Sequence, residues 1–237
     1  MVSASNQFLN CTRKVLKSTL QESSCRVVIY LKMKRLIYIL FVVILSLPAF
    51  AQDLLEGDLL FAYSNTTGKA ISEATVHDST ALPIYHVAIA TWVNDRPYAL
   101  EAIDEGVVLT PYDKFQERTL SKGGMMIGRL HDRSGIDQSV CNAMEHLGKP
   151  YDSLYMIDTQ EIYCSELVQL SYVNGRGQRL FPLINMSFHD SDGHILDYWR
   201  NHYAKHGMAV PEGALGTNPA QIAHDPAVEI ICDIKQK

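Results

Sequence analysis

Ile162-Tyr163-Cys164-Ser165-Glu166-Leu167-Val168 is the stretch on which the reading of the fold turns. A polar, loop-like segment, Asp158-Thr159-Gln160-Glu161, runs into it. Cys164 then opens a helical pattern, with Leu167, Val168, Leu170 and Tyr172 at apolar positions before Asn174-Gly175 stops it. A cysteine in the first turn of a helix lies at the positive end of the macrodipole, with unpaired backbone N–H groups directed at it. Both features favour the thiolate, which is the reactive form. The same position suits a buried structural cysteine, because free cysteine is among the most buried residue types. The stretch alone supports the two readings equally.

The N-terminus reads as an address. Residues 1–32 show no periodicity, while Lys34-Arg35 form a basic start to an apolar run over 36–47. Pro48-Ala49-Phe50-Ala51 then supplies a small-x-small cleavage site before Gln52. This is the pattern of a secretory signal peptide over 33–51. The apolar run of about 12 residues is shorter than the roughly 20 needed to span a bilayer. The expected layout is an over-extended N-terminus over 1–32, a signal peptide cut after Ala51, and one domain over 52–237. The product is expected to be periplasmic or secreted, with no stable membrane anchor after cleavage.

Seven of the 21 Lys+Arg but only one of the 26 Asp+Glu precede Gln52. The exported chain is therefore acidic, near −11. With no basic stripe to offset that balance, a nucleic-acid partner is not expected. Three cysteines remain, Cys141, Cys164 and Cys232, and an odd number leaves at least one outside an internal disulfide. Cys141 falls on an apolar helical face and Cys232 in an apolar strand-like run, so both read as core. Cys164 is left with the activating context. There is no CxxC pair and no zinc spacing, and neither metal nor cofactor is expected.

Strands are predicted over 59–63, 86–93, 98–103, 106–110, 124–130 and 228–234, with turns at Glu56-Gly57-Asp58 and Asn94-Asp95-Arg96-Pro97. Residues 70–76 suit a short helix, and 111–115 a single helical turn. The strongest helical pattern covers 135–147, with Ser134 as its N-cap and Ile136, Val140, Ala143, Met144 and Leu147 on one face. Gly148 ends it. A further helix covers 195–205. The class is α+β, an antiparallel sheet packed against helices.

A thiol nucleophile needs a base, and the base needs an orienting acceptor. His86, opening a strand after Pro83-Ile84-Tyr85, is the candidate base. Glu101, on the next strand, is the candidate orienter. Each also reads as an ordinary strand residue. If Asn94 to Pro97 forms the hairpin turn, Glu101 falls opposite about Ala90, roughly 13 Å along the strand from His86. His189-Asp190-Ser191-Asp192-Gly193-His194 lacks the remaining positions of a calcium loop, and Asp190 or Asp192 reads as a helix cap.

Gly57-Asp58-Leu59-Leu60-Phe61, Tyr85-His86-Val87, Leu100-Glu101-Ala102, Leu147-Gly148-Lys149-Pro150-Tyr151-Asp152 and Tyr163-Cys164-Ser165-Glu166-Leu167 follow one another in a fixed order. That order resembles the YiiX/YebB-like proteins, a circularly permuted branch of the NlpC-type, papain-fold cysteine hydrolases in which the histidine strand precedes the cysteine helix. The resemblance implies Cys164 as nucleophile, His86 as general base and Glu101 as orienting residue. It also implies the backbone N–H of Cys164 as part of an oxyanion hole. Tyr163 either lines the substrate pocket or simply packs, and Glu166 reads as structural. The implied activity is amide hydrolysis, with cell-wall peptides as substrate. Lipid amides or esters, reached by hydrolysis or acyl transfer, are the alternative, and a non-catalytic binding domain of the same fold is another. No particular oligomeric state is implied.

Overall fold

The computed structural model describes residues 54–64, 82–157, 160–190 and 192–235. The N-terminal extension over 1–32, the signal peptide over 33–51 and the short helix over 70–76, all three expected from the sequence, lie outside them. Described strands are β1 (Leu59–Tyr63), β2 (Ile84–Val93), β3 (Arg96–Ile103), β4 (Gly106–Pro111), β5 (Gly124–Leu130), β6 (Ile184–Asn185), β7 (Leu215–Gly216) and β8 (Val228–Lys235). Helices are α1 (Tyr112–Leu120), α2 (Ile136–Met144), α3 (Cys164–Ser171), α4 (Asp197–Ala204) and α5 (Pro219–Ala223). Among the described residues no helix is long and apolar enough to cross a membrane.

The main sheet has the order β4-β3-β2-β1-β5-β8, and every neighbouring pair is antiparallel. Its two faces follow from the period-2 alternation of a strand. Leu59, Phe61, Val87, Ile89 and Leu100 bury one face against Ala143, Leu167, Val168 and Ile222 from α2, α3 and α5. Leu60, Ala88, Ala90 and Ala99 bury the other against Tyr112 and Phe115 of α1. Alanines on that second face let α1 approach closely. A third cluster, Met186, Phe188, Trp199 and Tyr203, is built from the segments around β6 and α4.

Helix α3 is buried along almost its whole length, as its uniformly uncharged sequence after Glu166 allows. Its far end is tied to the start of the sheet. The hydroxyl of fully buried Tyr172 donates to the Gly57 carbonyl at 2.8 Å. Gly57 has φ +69, and a Cβ there would lie 2.4 Å from the Ile136 side chain, so only glycine fits this turn. Its N–H donates to Ala90 O at 2.7 Å. Beside it, buried Asp58 accepts from Arg129 Nε at 2.9 Å and Nη2 at 2.7 Å, a two-pronged charge pair.

Several local expectations are corrected. Cys141 is exposed, because Ile136, Val140 and Ala143 set the buried stripe and Cys141 is one residue, about 100°, round from Val140. Cys232 is only half-buried, since β8 is an edge strand. Gly135 replaces Ser134 as the N-cap of α2, and a Cβ there would sit 2.1 Å from Val173 O. That helix ends at Met144, which leaves Leu147 exposed. The expected turn at 111–115 is the nine-residue α1. Asp190 does not cap α4; its carboxylate accepts the N–H groups of Asp192 and His194, and Leu196 is the cap residue.

Tyr172→Phe removes the buried donor to Gly57 O and is expected to cost about 1–3 kcal/mol. Urea unfolding should show a lower midpoint at unchanged slope. A loss below about 0.5 kcal/mol would contradict this anchoring of α3.

Candidate active site

Cys164 is the first residue of α3. Tyr163 before it is extended, with φ −98 and ψ 169, and its carbonyl accepts the Leu167 N–H at 3.0 Å. Buried Glu166 turns its carboxylate back to the Tyr163 N–H at 3.4 Å. This fixes the entry of the chain into the helix, as the carboxylate half of a capping box does. The Cys164 N–H is one of those at a helix start that have no carbonyl four residues back.

His86 is the third residue of β2 and is hydrogen-bonded to Cys164. Its Nε2 lies 2.7 Å from Glu101 Oε2, which leaves Nδ1 as the ring nitrogen for Cys164. The expected 13 Å separation does not occur. The hairpin turn is the two residues Asn94 (φ 51) and Asp95 (φ 60), a geometry that takes positive φ at both positions. Val93 then pairs with Arg96 and Ile89 with Leu100. Glu101 stands level with Ala88, two residues nearer His86 than a longer turn would place it, and on the same face.

Glu101 is fully buried and receives three donors. Besides His86, Thr110 Oγ1 donates at 2.6 Å and Arg118 Nη2 donates to Oε1 at 2.8 Å. Burial works against its charge, but the bonds from His86 and Thr110 and the neighbouring Arg118 cation hold its carboxyl down at about 2. Burial also works against a charged imidazole at His86. The hydrogen bonds to Cys164 and Glu101 outweigh it and raise His86 to about 9.

Thr110 and Arg118 escaped the sequence reading. Thr110 is at the end of β4, and Arg118 lies on α1, whose length was underestimated. The usable signal was that a buried carboxylate needs cationic neighbours. Phe115 and Arg118 also have the i, i+3 spacing of a helix face, and the guanidinium lies 5.4 Å from the Phe115 ring centre.

Tyr163 is buried, and its hydroxyl accepts the Thr217 N–H at 3.0 Å. It packs, and it also borders a cavity that opens beside Cys164. Tyr155, Met186, Phe188 and Trp199 line the same cavity. Tyr155 has φ 54. The Asp152 carboxylate accepts the N–H groups of Leu154 at 2.7 Å and Met156 at 2.6 Å, which closes the loop that turns Tyr155 inward. The Tyr155 ring meets those of Tyr163 and Trp199 edge to face at 5.4 and 5.5 Å. Burial pushes the Tyr155 and Tyr151 hydroxyls up, and both feel Cys164.

Among the described residues no three His, Cys, Asp or Glu side chains gather as a metal-holding group. His189 Nδ1 lies 3.0 Å from Glu212 instead.

Comparison with known proteins agrees with this architecture. An Escherichia coli K12 protein described as "Uncharacterized protein YiiX" is 32% identical over 141 residues, covering 58% of this chain and 66% of the relative's length. A crystal structure from Escherichia coli O157:H7, described as metalloprotein yiiX, DUF1105, superposes with a TM-score of 0.61 at 21% identity. That match covers 77% of this chain and 98% of the other. The family model described as "Permuted papain-like amidase enzyme, YaeF/YiiX, C92 family" matches residues 53–232. Carrying histidine strand before cysteine helix on a papain-like sheet, the chain belongs to the C92 peptidase family of permuted papain-like amidases.

Proposed function

We propose that the protein is an exported cysteine amidohydrolase working through Cys164, His86 and Glu101. The observation that carries this reading is the unbroken chain of hydrogen bonds from Cys164 through His86 to buried Glu101. The export signal at 33–51 supports action outside the cytoplasm. The first processed residue would be Gln52.

Cys164 Sγ attacks the amide carbonyl carbon, and His86 holds the thiol proton. The oxyanion that forms is met by the Cys164 N–H at the start of α3. The C–N bond then breaks, and the His86 proton passes to the departing amine, leaving a thioester on Cys164. Water, deprotonated by His86, attacks the thioester, releases a carboxylic acid and restores the thiol. Glu101 keeps Nε2 of His86 occupied and stabilises the imidazolium between these steps. Arg118 and Thr110 act one step further out, as positioning residues that hold Glu101 ionised in its buried place.

Cell-wall peptide amides and lipid amides or esters both offer a carbonyl for this attack. The aromatic cavity beside Cys164 favours the second class. A binding domain without turnover has no need of an ionised, buried Glu101 behind its histidine.

Thiol reactivity separates these readings. Cys141 is exposed and Cys232 half-buried, whereas Cys164 is buried. Iodoacetamide at neutral pH is nonetheless expected to label Cys164 about tenfold faster than either, read by peptide mass mapping. Rates that simply follow exposure, together with turnover surviving Cys164→Ser, would overturn the hydrolase reading.

The pH profile of kcat/KM tests Glu101. Its negative charge is one cause of the raised His86 value, so Glu101→Gln lowers the pH at which the imidazolium is lost. The alkaline limb should move from near 9 toward the ordinary histidine value of 6.5, by about 1–2 pH units. Arg118→Gln acts on the other side: the Glu101 carboxyl rises from about 2, and the acid limb moves to higher pH, with Arg118→Lys intermediate. Limbs that stay in place in both variants would remove Glu101 and Arg118 from the mechanism.

A further inference from the structure

We propose that the cavity beside Cys164 is an acyl subsite, and that the substrates are fatty-acyl amides whose alkyl chain lies against Tyr155, Met186, Phe188 and Trp199. This rests on the cysteine-amidohydrolase reading and narrows it.

The walls make the case. Among the described residues no Asp, Glu, Lys, Arg or His borders the cavity. Several of its polar groups are already partnered within the protein. Ser165 Oγ donates to Thr217 O at 3.1 Å, and Tyr163 Oη accepts from Thr217 N. Thr217 Oγ1 donates to Gln221 Oε1 at 3.0 Å, and Asn218 Oδ1 accepts from Gln221 N at 2.7 Å. Ser187 Oγ accepts the His189 N–H at 3.4 Å. The wall that faces a ligand is almost wholly apolar. A peptide bearing free carboxylates and ammonium groups would be stripped of water there without a counter-charge. An alkyl chain loses nothing by the transfer and gains about fourfold in binding for each methylene buried.

The position of the cavity decides which half of the substrate it holds. Cys164 and Ser165 border it, whereas His86 does not. The departing amine has to come within hydrogen-bonding reach of His86 to take its proton. The group in the cavity is therefore the one that stays on sulfur: the acyl chain of the thioester. The apolar surface also continues outward. Tyr198, 53% exposed, has its ring 4.9 Å from that of Trp199. Leu215, 57% exposed, precedes Gly216, whose missing Cβ lets Met186 pack close to the Tyr163 hydroxyl. These side chains offer a path by which a chain enters from solvent or from a lipid aggregate.

The test is a series of acetyl, hexanoyl and decanoyl amides of one fluorogenic amine, assayed beside charged cell-wall peptides. The expected result is a kcat/KM that climbs about fourfold per methylene until the cavity is full, with a thioester adduct on Cys164 by mass spectrometry. Met186→Gln, similar in size but polar, should lower the decanoyl-to-acetyl ratio by about tenfold. That ratio is independent of how much of the variant is folded. A flat series alongside Cys164-dependent cleavage of the charged peptides would overturn the acyl subsite and leave the amidohydrolase reading standing. If neither class gives an adduct on Cys164 or any turnover, the amidohydrolase reading falls, and the subsite with it.

Discussion

A carboxylate with no exposure to water is the constraint around which this protein is arranged. Glu101 can remain ionised in the interior only because donors from three directions reach it: His86 on β2, Thr110 on β4 and Arg118 on α1. Removing any of them leaves the charge short of compensation. Strand register, hairpin length and the docking of α1 are therefore linked through one side chain. The alanines at 88, 90 and 99 belong to the same arrangement, since small residues on that face bring α1 near enough for Arg118 to reach inward.

The second fixed point is the start of α3. Glu166 turned back to the Tyr163 N–H, Tyr163 bonded to Thr217, and Tyr172 bonded to Gly57 hold the helix at both ends. A rigid helix terminus keeps the Cys164 sulfur and N–H in a constant relation to His86, the pre-organisation that the proposed thiol attack requires. The aromatic cluster around Trp199 meets this helix from outside the main sheet, so the wall of the cavity can differ in character from the machinery beside it.

Much of this was legible in the sequence because the signals were local. The start of α3 is a loop, a cysteine and an apolar periodicity in one short stretch, and the strands of the main sheet each carry their own alternation. The position of Glu101 was misjudged because it depended on whether the turn used two residues or four. Positive φ at Asn94 and Asp95 settles that, and a two-residue slide changes every facing pair. Cys141 looked buried because a single helical step separates it from Val140. Arg118 and the cavity were not readable at all. Arg118 sits seventeen positions from its partner, and the cavity joins residues from Tyr85 to Pro219 that come together only when the chain is folded.

The electrostatics of the site rest on buried Glu101 holding His86 charged beside Cys164. The most direct test is an NMR titration of the His86 imidazole in the intact, unliganded protein. His86 is expected to stay protonated through neutral pH and to titrate near 9. A His86 that titrates at or below the ordinary 6.5 would mean that burial outweighs both hydrogen bonds, and would contradict the electrostatic arrangement described for the site.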